Sequence, residues 1–278
     1  MMDILIDTLI DNLKLFPFLF VTYLCLEYIE HKTSDKTAEI IKKAGWSGPL
    51  VGSLCGILPQ CGFSVMAANF FAAHVIGIGT LLAIFLSTSD EMLPIMLSSA
   101  VPPLVIVQIL LYKAICGIVF GYATGFIWHK YHNYREINIE ELCRNENCCC
   151  EDSVIKPALH HSVRITVFIF AFTLLLNYAM SYLDLSGITA YMQIPLLGEV
   201  ISGLIGLIPN CSSSVILTQL YMDDFIPFGA LISGSLVNGG VGLLVLFRVN
   251  RRLRENLKIT AALYICGVIG GLLTHLIF

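Results

Sequence analysis

Two short motifs in this sequence combine a helix-breaking proline with side chains that can bind a ligand, and the second motif repeats the first 150 residues later. Their ligand-bearing residues are Gln60, Cys61 and Ser64 after Pro59, and Asn210, Cys211, Ser212 and Ser214 after Pro209. Thiolate sulfur selects soft metals and metalloids, whereas carboxamide and hydroxyl oxygens suit harder cations. The motifs therefore predict a substrate site built from two similar halves, in which Cys61 and Cys211 bind the substrate. The alternative is that the polar groups of the two motifs form hydrogen bonds only with one another and bind no ligand.

A second set of candidate residues is charged and lies within apolar sequence. Asp90 and Glu91 occur in a stretch long enough to cross a bilayer, where a central acidic side chain costs about 2.5–3.5 kcal/mol to insert. Lys113, in the next apolar stretch, is expected at a comparable depth. We predict a coupling or cation site at these three residues, with Asp90 and Glu91 as oxygen ligands for a metal ion. The alternative is a purely structural ion pair between Asp90 and Lys113.

A third candidate is a cluster of cysteines in the polar middle of the chain. Its members are Cys143, Cys148, Cys149 and Cys150. Clustered cysteine, with histidines nearby, is a compositional signal of metal binding. Because the spacing is not the paired C-x-x-C of a closed zinc site, three interpretations stay open: capture of a metal or metalloid, a disordered thiol-bearing loop, and acylation of the cysteines next to the membrane.

The composition shows what must position these residues. The chain of 278 residues is 56% hydrophobic and 13% charged, with a mean hydropathy of +0.80, whereas soluble proteins carry about 25% charged residues. We therefore predict an all-α integral membrane protein. Hydropathy divides the chain into five elements per half, at 13–29, 48–58, 61–73, 75–97 and 104–128, and at 163–182, 198–208, 211–222, 225–247 and 259–278. The second and third elements of each half are too short to cross about 30 Å of hydrocarbon, so we interpret each pair as a re-entrant helical hairpin.

The positive charges predict the orientation of the two halves. Fourteen of the 16 Lys and Arg residues lie in the loop after the first span, around the central linker, and before the last span. The loops at 98–103 and 183–197 contain none. Because cytoplasmic loops carry the excess of positive charge, we predict two inverted repeats, 1–128 and 162–278, joined by a cytoplasmic linker at 129–161, with the N-terminus outside. Inverted repeats with short, interrupted helices are typical of secondary transporters.

Three segments carry a resemblance to a known family. They are 58–64 (LPQCGFS), 87–94 (STSDEMLP) and 208–214 (IPNCSSS), which resemble the ten-transmembrane heavy-metal or arsenic exporters, also labelled manganese transporters. The resemblance extends over nearly the whole chain and is least specific in the linker. It implies export of arsenic species or of a divalent metal such as manganese, and it transfers no ligand set to individual residues.

These observations predict a multi-pass plasma-membrane exporter of a metal or metalloid ion, coupled to protons or another ion and acting through a midplane site between the hairpin tips. No G-x-x-x-x-G-K-[ST] loop is present, which argues against direct drive by ATP. We predict no enzymatic activity, no cofactor and no nucleic-acid partner; membrane lipid surrounds the chain, and a homodimer is compatible with it. Two rival functions are a lipid-carrier flippase and an intramembrane enzyme that uses Cys61 or Asp90.

Overall fold

The computed structural model describes residues 6, 8–10, 13, 16–17, 20–21, 23–24, 47–57, 61–89, 92–99, 101–131, 155–180 and 191–277. Within these residues every regular element is helical, which confirms the all-α class. The described positions up to residue 24 are helical, and they are followed by α1 (Gly48–Gly56), α2 (Cys61–Ala72), α3 (Ile78–Ser87), α4 (Met92–Ser98), α5 (Pro103–Tyr131), α6 (Ile155–Met180), α7 (Leu197–Gly206), α8 (Cys211–Met222), α9 (Phe228–Val237), α10 (Gly240–Val249) and α11 (Leu253–Ile277).

Five helical stretches in the described residues are long and apolar enough to cross a membrane. They are Ile78–Ser98, Pro103–Trp128, Ala158–Leu175, Phe228–Val249 and Leu253–Leu276. The outer helix α5 exposes large apolar side chains at helical spacing, at Leu104, Val107, Leu111 and Ile115. A continuous apolar face of this kind is stable against lipid but not against water. The protein is therefore a multi-pass membrane protein.

The helices before the central segment have counterparts after it. α2 and α8 start and end 150 residues apart, and so do α3 and α9. The turns after α2 and α8 also share their geometry, because His74 and Asp224 both adopt a left-handed backbone, with φ of 59° and 58°. In each turn this residue donates its amide hydrogen to the carbonyl three residues earlier, over 3.0 Å to Phe71 and 3.1 Å to Tyr221. The sequence repeat is thus accompanied by a repeated backbone.

The helices form a first group, α1–α5, and a second group, α6–α11, and small residues allow close packing within each group. Gly79 of α3 lies against Gly121 and Gly125 of α5, so a side chain at position 79 would collide with the α5 backbone. In the second group, Gly271 of α11 lies against Ser233 of α9 in the same manner. Helices in a membrane associate through such close backbone approach because lipid provides no hydrophobic driving force between them. As a result α3 is held against α5, and α9 against α11.

Two further contacts join the helix groups to each other. α10 packs along α2, and α4 packs on α8, so each hairpin helix is covered by a helix from the other group. The α2–α10 contact is tight at Gly242, where an added Cβ would lie 2.6 Å from the carbonyl carbon of Ser64. Of the five membrane-length stretches, the one formed by α9 and α10 is the most enclosed. In this stretch 94% of the most apolar segment is buried inside the protein, compared with 39% in α5 and 39% in α11. The helices α9 and α10 therefore form the centre of the molecule.

The structure differs from the sequence-based elements in two respects. The spans predicted as continuous at 75–97 and 225–247 are each interrupted, between α3 and α4 and between α9 and α10. Hydropathy misses these interruptions because the sequence stays largely apolar on both sides of them. In addition, α6 and α11 begin at Ile155 and Leu253, eight and six residues earlier than predicted, because a helix continues through polar residues beyond its apolar window. The start of α6 thus lies within the predicted linker.

The close contact between α2 and α10 can be tested by adding a methyl group at Gly242. Gly242→Ala should destabilise the protein by about 1–3 kcal/mol, since the added methyl group meets the backbone of Ser64 rather than a movable side chain. The measurement is the Tm of the purified protein in detergent. The control is Gly77→Ala, where an added Cβ has no heavy atom within 4 Å, and it should change stability by about 0.5 kcal/mol or less. Equal Tm values for the two variants would contradict the packing described here.

Candidate transport site

The second tip is the segment between α7 and α8, which contains Pro209 and a compact polar turn. Asn210 precedes α8 with an extended backbone, and its side-chain amide donates to the hydroxyl of Ser212 over 3.2 Å. The hydroxyl of Ser213 donates to the Asn210 carbonyl over 2.7 Å. Asn210, Cys211 and Ser214 are all buried. The structure thus gathers the predicted residues of the second motif at the buried start of one helix.

The tip of the first hairpin is described at its two ends. α1 is followed by Ile57, whose carbonyl accepts a hydrogen bond from the hydroxyl of Ser89 over 2.8 Å. Ser64, near the start of α2, is fully buried beside Gly242. Gln60 lies outside the described residues, as does the side chain of Cys61. The residues that flank the first tip therefore contact two other helices: Ile57 contacts the end of α3, and Ser64 contacts the start of α10.

The interruptions of the two central spans lie close to the residues that flank the first tip, because Ser89 bonds to Ile57 and Gly242 packs against Ser64. α3 ends at Ser87, and Thr88 leaves the helical conformation with ψ of 129°. α9 ends at Val237, and the side-chain oxygen of Asn238 accepts a hydrogen bond from the Gly240 amide over 3.0 Å. Gly240 has a φ of 52°, in the left-handed region that glycine adopts without strain. Asp90 and Glu91, which follow the first interruption, lie outside the described residues.

Lys113 connects the two interrupted helices. Its side chain is 1% exposed, and its ammonium donates to the carbonyl of Thr88 over 2.5 Å and to the carbonyl of Ser235 over 3.0 Å. These acceptors lie at the C-terminal ends of α3 and α9. A helix C-terminus carries about half a negative charge and leaves carbonyls without helical partners. One buried cation therefore satisfies two helix ends that neither lipid nor the helices themselves could satisfy.

The structure brings some of the predicted site residues together. Lys113 bonds to the ends of α3 and α9, and Ser64 packs against Gly242 at the start of α10. The hydrogen bond from Ser89 to Ile57 adds the end of α1, so these residues form one connected group. The end of α7, just before the second tip, joins this group through α9, because Gly206 lies against the backbone of Gly234. The linker cysteines Cys143, Cys148, Cys149 and Cys150 lie outside the described residues. Among the side chains that are described, no group of three or more His, Cys, Asp or Glu residues could hold a metal ion.

The carbonyl oxygens that Lys113 contacts were not predicted from the sequence. Backbone acceptors have no residue-type signature, so only indirect signals were present. One signal was the polar run from Ser87 to Ser89, and the other was Asn238-Gly239-Gly240, since asparagine and glycine favour turns. Cys116 and Cys266 are buried, as expected for small apolar residues of the core.

One comparison with known proteins gives a match. The family model described as "Putative, 10TM heavy-metal exporter" matches residues 126–265, half of the chain. No curated protein and no solved structure matches the chain.

The bridge made by Lys113 can be tested by removing its charge. Lys113→Met keeps most of the side-chain volume but leaves two buried carbonyl oxygens without this donor. An unsatisfied buried polar group costs about 1–3 kcal/mol. Methionine also removes the cost of burying an ammonium, but we expect the loss at two acceptors to dominate and the Tm to fall. Lys258→Met, at an exposed position of α11, is the matched control. A Tm for Lys113→Met equal to that of the control would contradict the bridge.

Proposed function

The chain belongs to the ten-transmembrane heavy-metal exporter family, and from this premise we propose that it is a secondary transporter that exports a heavy metal or metalloid ion. The cargo is an arsenic species or a divalent metal such as manganese. It passes through a site between the two hairpin tips near the middle of the membrane. The observation that carries this proposal is the paired interruption of the two central spans beside the hairpin tips. Broken helices at membrane depth are found where backbone is buried in protein or lines a pathway.

The two helix groups would have opposite orientations in the membrane. Positive residues lie where the central linker and the matching loops would face the cytoplasm, and their absence from 98–103 and 183–197 marks the outer side. With this arrangement the first hairpin enters from the cytoplasm and the second from outside, and the N-terminus is outside. The repeated helix boundaries and the repeated left-handed turn support a common origin of the two groups. The protein would act in the plasma membrane, surrounded by lipid, as a monomer or a homodimer.

Both tips contain two kinds of ligand atom, sulfur and oxygen, and each kind suits one of the two cargo classes. Cys61 and Cys211 provide sulfur for a trivalent arsenic species. Gln60, Asn210, Ser64, Ser212 and Ser214 provide oxygen for a divalent cation. The partners of Asn210 and Ser213 within the second tip support a preorganised turn rather than an open loop. Cys143, Cys148, Cys149 and Cys150 of the linker would capture the cargo on the cytoplasmic side.

Coupling to protons or another ion would depend on Asp90, Glu91 and Lys113. The ammonium of Lys113 occupies a point where two helix C-termini converge, and such ends commonly coordinate ions in transporters. A cation that approaches the Thr88 and Ser235 carbonyls must displace the ammonium, either by moving it or by removing its proton. The side chain would therefore compete with a positively charged cargo or coupling ion. This competition provides a physical basis for exchange in place of simple leakage.

The choice between sulfur and oxygen ligands can be tested by transport into inside-out vesicles. If arsenite is the cargo, Cys61→Ser combined with Cys211→Ser should lower its uptake by about tenfold or more, and Asp90→Asn should have the smaller effect. If manganese is the cargo, the order should reverse, because carboxylate is the harder ligand. Cys266→Ser, a buried cysteine away from the tips, is the control and should retain uptake of either ion. Undiminished arsenite uptake in the double variant would exclude thiol ligation from the mechanism.

A further inference from the structure

A buried acid and a partly exposed histidine form a pair that the proposed site does not use. Glu199, in the first turn of α7, is 0% exposed, and its Oε1 lies 2.7 Å from Nε2 of His275 near the end of α11. The His275 side chain is 42% exposed. The other carboxylate oxygen, Oε2, has no hydrogen-bond partner among the described residues. A carboxylate with an unpaired oxygen is costly inside a membrane protein and is a candidate functional group.

The pair adjoins a cavity of about 400 Å³. The cavity is lined by the start of α5, the turn between α8 and α9, and the end of α11, with Gln108, Tyr221, Thr274 and His275 as its polar side chains. In the proposed topology all of these helix ends lie on the outer side of the membrane. His275 lines the cavity and Glu199 lies behind it, so the imidazole separates the carboxylate from the cavity.

The matching positions in the first helix group have different residues. Glu199, Gly229 and His275 correspond, 150 residues earlier, to Pro49, Gly79 and Gly125. At Gly79 an added Cβ would meet the α5 backbone, whereas at Gly229 it would meet Glu199 Oε1 at 2.6 Å and His275 Nε2 at 3.0 Å. Gly229 thus leaves the space in which the acid and the imidazole meet. The repeated backbone does not require this pair, because the first group packs without one.

Further buried polar atoms extend from Glu199 towards Lys113. Among the described residues, four buried side-chain polar atoms have no hydrogen-bond partner, and three of these are Glu199 Oε2, Ser202 Oγ and Ser235 Oγ. Ser202 lies one turn after Glu199 on α7, and its backbone lies against Gly234, next to Ser235 of α9. The carbonyl of Ser235 accepts from Lys113. The unpaired atoms therefore follow the α7–α9 interface from the cavity to the bridged helix ends.

We infer that Glu199 and His275 form an outer proton-binding site that contributes to coupling in this exporter together with Asp90, Glu91 and Lys113, and that His275 relays protons from the outer cavity. A proton from the cavity binds the free ring nitrogen of His275, and the Nε2 proton passes to Glu199 Oε1. The imidazole returns to its neutral form, and the carboxylate becomes a neutral acid. Neutralisation removes a buried negative charge beside the α7–α9 interface. The inference rests on the proposed function, since it adds an outer proton-binding site to the coupling residues of the same exporter.

Other titratable groups face this region from the elements packed around it. Tyr221 at the end of α8 lines the cavity, and Asp224 follows it in the turn to α9. Tyr264 of α11 donates its hydroxyl hydrogen to the carbonyl of Val200 over 3.1 Å. Lys113 lies at the far end of the polar path. Of these groups, Tyr264 is already bonded to the backbone, and Asp224 is exposed to solvent, so neither combines burial with access to the cavity as Glu199 and His275 do.

The test uses the full chain reconstituted in liposomes that contain a pH-sensitive dye, with arsenite and Mn²⁺ as separate probes. A pH gradient should drive accumulation of the transported probe in the wild type. In Glu199→Gln this accumulation and the accompanying proton flux should fall by about tenfold or more, while exchange of labelled for unlabelled probe at equal pH persists. His275→Gln should slow proton-driven accumulation in the same assay. Asp223→Asn and His160→Gln, which change an exposed carboxylate and an exposed histidine, are the controls and should behave like the wild type.

The possible outcomes distinguish a failure of the coupling inference from a failure of the export proposal. If the wild type moves neither probe, the export proposal fails. If the wild type accumulates a probe and Glu199→Gln does so equally well, the coupling site is overturned while export stands. A second readout needs no cargo and no variant that might fold poorly: dicyclohexylcarbodiimide, an apolar reagent for protonated carboxyls, should modify Glu199 of the wild type, and more so as the pH falls. Absence of this modification at all pH values by mass spectrometry would also overturn the inference.

Discussion

Backbone carbonyls that are released where a helix breaks inside an apolar layer must find donors within the protein, and this requirement organises the centre of the molecule. α3 and α9 both end inside the core, and the ammonium of Lys113 donates to the carbonyls of Thr88 and Ser235. Both helix ends carry partial negative charge, so a single cation stabilises them together. α5 must therefore pass beside both breaks, and its small residues Gly117 and Gly121 permit the close approach to α3.

The repeated backbone and the unequal side chains have separate roles. The repeat supplies two similar frames of short hairpin helices and interrupted spans, each with a proline and a cysteine at its tip. Two buried charged residues have no charged counterpart in the other frame: Lys113 corresponds to Leu263, and Glu199 to Pro49. The first group contributes the cation that holds the helix ends, and the second contributes the carboxylate and the imidazole at the cavity.

The sequence predicts those features that depend on local pattern. The hairpin helices α2 and α8 begin at Cys61 and Cys211 as expected, since proline and short apolar length act locally. The breaks after Ser87 and Val237 were not predicted, because the sequence is largely apolar on both sides of each break. Both breaks are stabilised by Lys113, which is distant in sequence, and the second also by the local hydrogen bond from the Gly240 amide to Asn238. Glu199 and His275 were missed for a related reason. They are 76 positions apart, and they meet only because Gly229 leaves space between α7, α9 and α11.

The proposed entry of the α1–α2 and α7–α8 pairs from opposite sides of the membrane can be tested by thiol accessibility. Gly77→Cys and Phe225→Cys place a thiol at matching turns, after α2 and after α8, where the native residues are exposed. A membrane-impermeant maleimide is added to intact cells and to inside-out vesicles, and labelling at each introduced cysteine is read by mass spectrometry of its peptide. Inverted halves require labelling of Phe225→Cys in intact cells and of Gly77→Cys in inside-out vesicles. Labelling of both cysteines from the same side would contradict the inverted arrangement, and with it the midplane site between opposed tips.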